Sequence, residues 1–324
     1  MNPILSAFPA GRYRLECRVE AAIHLPDYAG SVLRGLFGAA LRRVSCLTAA
    51  PECDGCGVLA GCPYGQLFCP PPPLPGHEVQ DFSAIPNPYI IEPPPWGRRE
   101  IPEGEALVFH MVVVGRALGQ LPVLVLSWQR ALAQRVGRQG RARLERVVWE
   151  SPAAGDQVIF HSQQGLLAAH QARLSPASGV VPPQVTLALD TPLRIQRQGK
   201  PQGPGRLTPR DFLLTLARRV SLLAEFHAGE TPGLDFAALT RQAEALRHHG
   251  RLRWRDWTRW SGRQEQSMTL GGVVGRWTLE GDLQPFWPLL HLGQWLHVGK
   301  NATFGLGRYR LASQEGDEPR EGTA

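Results

Sequence analysis

Residues 12 to 25 alternate side-chain type almost without a break. Tyr13, Leu15, Cys17, Val19 and Ala21 stand against Arg14, Glu16, Arg18 and Glu20. Successive side chains of an extended backbone point to opposite faces, so this stretch predicts a half-buried strand. Pro26-Asp27-Tyr28-Ala29-Gly30-Ser31 then breaks the pattern. Ser31 is a fitting cap for a helix running to about Ser45, with Val32, Leu33, Leu36, Phe37, Ala40 and Leu41 turned inward. Strands resume at Tyr89 to Glu92 and at Ala106 to Arg116. A helix with Pro122 in its first turn covers Leu121 to Gly137, and Arg143 to Glu150 alternates again. Strand, helix, strand, strand, helix, strand is the order of a ferredoxin-like domain, here over residues 1 to about 152.

The second half repeats the order. Val185 to Gln196 reads as a strand, and Thr208 caps a helix with Pro209 at its first position, running to about Ala228. Phe236 to His248 reads as a short helix, and the pattern from Arg251 to Leu279 is strand-like. A Phe286–Leu296 helix and a short Arg308 to Leu311 strand close the domain. The expected fold class is α+β: two tandem ferredoxin-like (RAMP/RRM-like) domains, the second over 185–312, in keeping with a length of 324 residues. Residues 153–184, rich in Gln and Ala without clear period, are a hairpin or the join between domains. The acidic stretch 313–324 reads as a disordered tail.

The first domain carries a Cys-rich and Pro-rich insertion at about 46–96. Five of the six cysteines lie between Cys46 and Cys69, spaced C-x6-C-x2-C-x5-C-x6-C. The start of the chain has neither a basic region nor a sustained apolar run, so no signal peptide is read and a reducing cytoplasmic setting is expected. There, clustered thiols are metal ligands more often than disulfides. Cys46, Cys53, Cys56 and Cys62 form the candidate tetrahedral thiolate set for structural zinc. An iron–sulfur cluster and unliganded thiols are the alternatives. Beyond them, Pro70-Pro71-Pro72-Pro73 and Pro93-Pro94-Pro95 forbid helix and predict an exposed loop.

A formal charge of +7 and a pI near 9.4 point to a polyanionic partner. No apolar run approaches the roughly 18 residues of a membrane span, which leaves nucleic acid as the expected partner. The charge concentrates at Arg247, Arg251, Arg253, Arg255, Arg259 and Arg263, interleaved with Trp254, Trp257 and Trp260. Read as a strand, Arg251, Arg253, Arg255, Trp257 and Arg259 share a face; read as a helix, the arginines recur every four residues. Either face suits phosphate contact and base stacking, and either is also what a solvated surface over core tryptophans would show. Near the end, Gly299-Lys300-Asn301-Ala302-Thr303-Phe304-Gly305-Leu306-Gly307 supplies three glycines and one of only two lysines. Such a loop exposes main-chain N–H groups to an anion, or it is simply a tight hairpin turn.

This loop, with Trp257-Thr258-Arg259-Trp260-Ser261-Gly262-Arg263-Gln264, Leu270-Gly271-Gly272-Val273-Val274-Gly275 and Asp190-Thr191-Pro192-Leu193-Arg194-Ile195, resembles the C-terminal half of the CRISPR precursor-RNA processing endoribonucleases of the RAMP superfamily. Gly30-Ser31-Val32-Leu33-Arg34-Gly35 resembles the strand-to-helix junction of RAMP domains, where a helix start meets RNA. The resemblance implies metal-independent cleavage of CRISPR repeat RNA: the ribose 2′-OH attacks the adjacent phosphate, leaving a 2′,3′-cyclic phosphate and a 5′-hydroxyl. It also implies delivery of guide RNA to a CRISPR effector complex. Many relatives carry a histidine in or near the first helix, whereas this chain has none between Leu25 and His77. His24 is therefore the candidate base or acid, with Tyr28 and Arg34 as further catalytic candidates. The expected RNA contacts are Arg42, Arg43, Arg251, Arg253, Arg255, Arg259, Arg263, Gly299, Lys300, Asn301, Thr303, Gly305 and Gly307. A non-catalytic RAMP subunit holding guide RNA, and a zinc-containing DNA-binding regulator, are the competing readings.

Overall fold

The structure is a computed structural model that describes residues 3–70, 85–137, 139–176, 179–261 and 266–312. The chain forms two compact units. The first comprises Met1–Ser175, Arg218–Pro232 and Thr303–Gly305; the second comprises Pro176–Ala217, Gly233–Ala302 and Leu306–Ala324. The fold is mixed α and β, and its sheets are antiparallel.

In the first unit the elements are β1 (Ala10–Ala21), β2 (Ile23–Leu25), α1 (Gly30–Ser45), α2 (Pro63–Phe68), β3 (Tyr89–Glu92), β4 (Arg99–Ile101), β5 (Ala106–Val114), α3 (Leu121–Gln134), β6 (Arg141–Ser151) and β7 (Gly155–His161). The main sheet runs β3-β5-β1-β6-β7, and β2 pairs with β4 in a separate ladder. The alternation of β1 sorts as its sequence requires: Tyr13, Leu15, Cys17 and Val19 enter one core with Leu33, Phe37 and Leu41 of α1 and Leu124, Trp128 and Leu132 of α3. Trp128 stacks on Phe37 at 4.8 Å and meets Phe109 at 4.7 Å, a large apolar contact at the centre of that layer. The opposite face of the sheet carries charge. Arg12 there bridges Glu92 and Glu150, which also accepts from Arg14. Helix α1 begins one residue before Ser31, with Ala29 at the cap position and no side-chain cap. Gly30 occupies the first turn because a Cβ there would strike the carbonyl oxygen of Phe304. The stretch from 153 onward opens with β7, the edge strand of this sheet.

The second unit contains β8 (Gln184–Leu193), β9 (Arg247–Arg255), β10 (Thr258–Ser261), β11 (Gln266–Thr269), β12 (Gly272–Glu280), α6 (Trp287–Leu296) and β13 (Tyr309–Ala312). Helices α4 (Pro209–Ala228) and α5 (Phe236–Glu244) lie between β8 and β9 in sequence. Thr208 caps α4 as its position predicts: its hydroxyl accepts from the Asp211 N–H at 3.1 Å and donates to the Asp211 carboxylate at 2.8 Å. The sheet order is β9-β12-β8-β13, with β10 and β11 as a separate hairpin. Phe212 meets Trp277 and Tyr309 edge-on at 5.7 and 5.4 Å, and the Tyr309 hydroxyl donates to the Leu290 carbonyl at 2.7 Å. Pairing of β9 with β12 from Arg247↔Glu280 to Arg255↔Gly272 settles the arginine-rich segment as strand and not helix. The predicted short helix ends at Glu244, so His248 belongs to this strand.

Candidate functional site

In the first unit, β2 carries Ile23 and Leu25 into the core and leaves His24 outside, directly opposite Glu100 of β4. The two side chains face solvent together, His24 Nε2 lying 3.4 Å from Glu100 Oε1. They line an open groove of about 1050 Å³ with Pro26, Val32, Arg98 and Arg99. The wall behind His24 is fixed by Gly137, whose φ of +69° and whose missing Cβ let the chain pass 2.8 Å from the His24 carbonyl oxygen. A mobile imidazole beside a carboxylate and two guanidinium groups is a set that can exchange a proton next to a bound phosphate.

The other two catalytic candidates lie elsewhere. Tyr28 is buried, stacks on Trp96 at 4.8 Å, and donates its hydroxyl to the Phe304 carbonyl at 2.9 Å. Its hydroxyl holds the start of α1 in place and does not open onto the groove. Arg34 is enclosed by rings, 4.9 Å from Phe68, 4.9 Å from Phe304 and 6.0 Å from Tyr89. Neither residue lines the groove of His24. The remaining histidines near candidate segments are structural. His297 is fully buried, with Nδ1 3.1 Å from the Leu306 carbonyl oxygen. His227 donates to the Pro86 carbonyl at 2.7 Å, and burial pushes its pKa down to about 4, so it is neutral.

The basic residues divide in the same way. Arg42 of α1 is turned to the protein: it donates to the Ala50 and Pro51 carbonyls and lies 5.7 Å from the Tyr64 ring. Arg43 is exposed and donates to Gln134 of α3. In the second unit, Arg251 and Arg253 are exposed on the edge strand β9, and Arg251 stands directly opposite Arg276 of β12. Among the described residues no acid lies within ion-pair distance of Arg251 or Arg253, and Arg255 feels both burial and the Arg253 charge as forces that lower its pKa. Like charges placed this close without a counter-charge favour an anionic partner. Trp254 donates to Asp256 at 2.8 Å and is half exposed, whereas Trp257 is buried and does not share the open face. Arg259 lies in β10 with its side chain outside the described residues, and Arg263 is itself outside them.

The glycine-rich loop differs from the expected open nest. Val298 N–H bonds the Gly307 carbonyl at 3.0 Å, Gly307 N–H bonds Pro192 at 3.1 Å, and Lys300 N–H bonds Arg194 at 2.9 Å. Gly305 and Gly307 are buried. A Cβ at Gly299 would sit 2.5 Å from the Arg194 carbonyl oxygen, and one at Gly307 would strike that of Val298. Two of the expected main-chain donors, Lys300 and Gly307, are thus consumed by β8 and its flank, and the glycines serve close backbone packing. What remains outward is the exposed Lys300 side chain, with Asn301 and Thr303 half exposed.

The four cysteines of the candidate metal set are each half exposed. As they stand, no group of three or more His, Cys, Asp or Glu side chains among the described residues could hold an ion. Hydrogen bonds from the Thr48 hydroxyl and the Ala49 N–H hold the Cys46 thiol below its ordinary pKa. Sequence reasoning missed Arg98, Arg99, Glu100 and Arg276. Their role depends on the Ile23↔Ile101 and Arg251↔Arg276 pairings, which join residues far apart in sequence. Only the charged run Arg98-Arg99-Glu100 could have drawn attention. No helix among the described residues is long and apolar enough to cross a membrane.

Comparison with known proteins agrees with this arrangement. Residues 8–172 match the family model AF_1859_N, an N-terminal domain, and residues 187–309 match CRISPR_Cas6, the CRISPR-associated endoribonuclease Cas6. An uncharacterized protein of Archaeoglobus fulgidus is 23% identical over 300 residues, which cover 90% of this chain and 93% of the relative. A product complex of Thermus thermophilus Cas6 is similar with a TM-score of 0.54 at 18% identity, over 94% of this chain and 100% of that one. A partial Cas6-RT-Cas1–Cas2 complex is similar with a TM-score of 0.53 at 17% identity, over 95% of this chain and 47% of that one. At these identities the structural likeness speaks for the fold. With one family model spanning half the chain and the Cas6 model following it, the chain belongs to the CRISPR-associated, RAMP-type endoribonuclease family.

Proposed function

We propose that this protein cuts CRISPR repeat transcripts into guide RNA by metal-independent attack of a ribose 2′-OH on the adjacent phosphate. The observation that carries the reading is the uncompensated arginine strip of Arg251 and Arg253 on an exposed edge strand inside the region that matches the Cas6 domain. Its charge suits the phosphate backbone of RNA, whose binding releases condensed counterions. His24 takes the proton of the attacking 2′-OH, and the 2′-oxygen bonds to phosphorus as the bond to the 5′-oxygen breaks. The departing 5′-oxygen takes its proton from water in the open groove. Arg98 and Arg99 meet the charge that develops on the phosphoryl oxygens. The order in which β3, β5, β1 and β6 sit in one sheet, matched by β9, β12, β8 and β13 in the other, supports two tandem ferredoxin-like domains. The product RNA then passes to a CRISPR effector complex.

A second reading, an RNA-holding RAMP subunit without nuclease activity, is favoured by the separation of Tyr28 and Arg34 from the His24 groove. Purified protein incubated with repeat RNA in EDTA separates the two. Cleavage leaving a 2′,3′-cyclic phosphate supports the nuclease; tight binding with intact RNA supports the holding subunit. Preference for duplex DNA defeats both. A His24→Ala variant that cuts within a few-fold of wild type removes His24 from the mechanism.

A further inference from the structure

Between α1 and α2 the chain runs through residues 46–62 with only one short 3-10 turn, Leu59–Gly61. Nearly every side chain in this stretch is exposed. The residues that turn inward are Cys46, Ala50, Cys53, Cys56, Leu59 and Cys62, so four of the six are thiols. One alanine and one leucine bury too little apolar surface to hold a segment of this length in a single conformation. Something other than a hydrophobic core must order it.

The backbone already brings the thiols toward each other. Cys56 N–H bonds the Cys53 carbonyl at 3.2 Å across Gly55, which has φ of +71°. Leu59 N–H bonds Cys56 at 3.0 Å and Cys62 N–H bonds Leu59 at 3.2 Å, so the chain winds from one cysteine to the next in consecutive tight turns. The Thr48 hydroxyl lies 3.9 Å from Cys46 Sγ and 3.7 Å from Cys56 Sγ. Cys62 Sγ lies 3.8 Å from the carbonyl oxygen of Ser45, the residue before Cys46. Arg42, from the last turn of α1, fastens the loop by donating to the Ala50 and Pro51 carbonyls. Each of the four thiols is thus tied to another by a turn or a shared neighbour, and none is in a disulfide.

We propose that Cys46, Cys53, Cys56 and Cys62 close around one zinc ion, which acts as the core of this segment. The four are not at metal-holding distance as placed, and closure is the ordering step. Three of the glycines, Gly55, Gly57 and Gly61, have open space where a Cβ would be, so the turns move without steric obstruction. Each thiol loses its proton to solvent as it ligates, and no electron is transferred. Four thiolates at tetrahedral positions leave no open coordination site, so the ion is structural and stands apart from RNA cleavage.

The full chain, purified from zinc-supplemented medium, is assayed for metal by plasma mass spectrometry and for reactive thiols by Ellman's reagent. The expected result is one zinc per chain in wild type and in Cys69→Ser, and loss of zinc in Cys53→Ser. Stripping zinc with a strong chelator should release four thiols and speed proteolysis within 46–62, with zinc alone restoring protection. This second arm decides the matter even if Cys53→Ser does not fold. Wild type free of metal, zinc retained in Cys53→Ser, or iron with labile sulfide in place of zinc would each overturn the proposal. None of these readouts depends on cleavage of RNA.

Discussion

The charged face of the first sheet makes a sharp prediction at Glu150. Its carboxylate accepts from Arg12 and, at 2.7 Å, from Arg14, and lies 3.3 Å from His110 Nε2. Burial by itself raises its pKa; the His110 hydrogen bond and the Arg12 and Arg14 guanidinium groups outweigh it and hold the group at about 2, against an ordinary 4.5. A depressed folded-state pKa means that the unfolded chain binds the proton more readily between those two values. The stabilisation is therefore complete above about pH 4.5 and is lost as pH falls toward 2. Fully transferred, a shift of that size is about 3 kcal/mol. The cluster opens to solvent on its Arg14–Asp156 side, where Asp156 is 52% exposed, so screening reduces the expected contribution to about 1–2 kcal/mol. Glu150→Gln should thus be less stable than wild type by about that amount at pH 7 in urea unfolding. The gap should shrink steadily between pH 4.5 and 2, since the variant has no carboxylate to protonate. A gap that stays constant across that range would refute the assignment of the stability to this carboxylate.

The remaining predictions test the site and its supports. Gly307→Ala places a Cβ against the Val298 carbonyl at a φ of +71°, and should lower stability by about 2 kcal/mol or more, read as a fall in Tm. Tyr28→Phe removes a buried hydrogen bond to the Phe304 carbonyl and should cost about 1–2 kcal/mol in chemical denaturation while leaving RNA cleavage per folded molecule unchanged. Arg251→Ala and Arg253→Ala should each weaken binding to single-stranded RNA and reduce the slope of log K against log salt by about 1, measured by fluorescence anisotropy; an unchanged slope places RNA elsewhere.

Several elements were legible because the information lies within a few residues. Strict alternation of Tyr13 to Val19 marks β1, and Thr208 followed by Pro209 marks the start of α4. Identity of the arginine-rich segment was not decidable in this way, since its charges satisfy both a strand period and a helical one; the β9–β12 ladder decides it. Ser31 has the chemistry of a cap, yet the helix starts before it, because Gly30 must admit the Phe304 carbonyl. That requirement comes from a residue more than 270 positions away.

What the sequence by itself determined is the order of strands and helices, the position of the basic segment and the grouping of the thiols, all properties of local period and spacing. Only the tertiary structure decided which polar groups remain available. Lys300 and Gly307 look like open main-chain donors in the sequence, but carbonyls of Arg194 and Pro192 consume them. Tyr28 looks like a proton donor near a helix start, but its hydroxyl is spent inside the protein, while Glu100 arrives beside His24 through a strand pairing no local pattern announces. A side chain's chemistry is written at its own position. Whether that chemistry faces a ligand depends on partners that approach from distant parts of the chain.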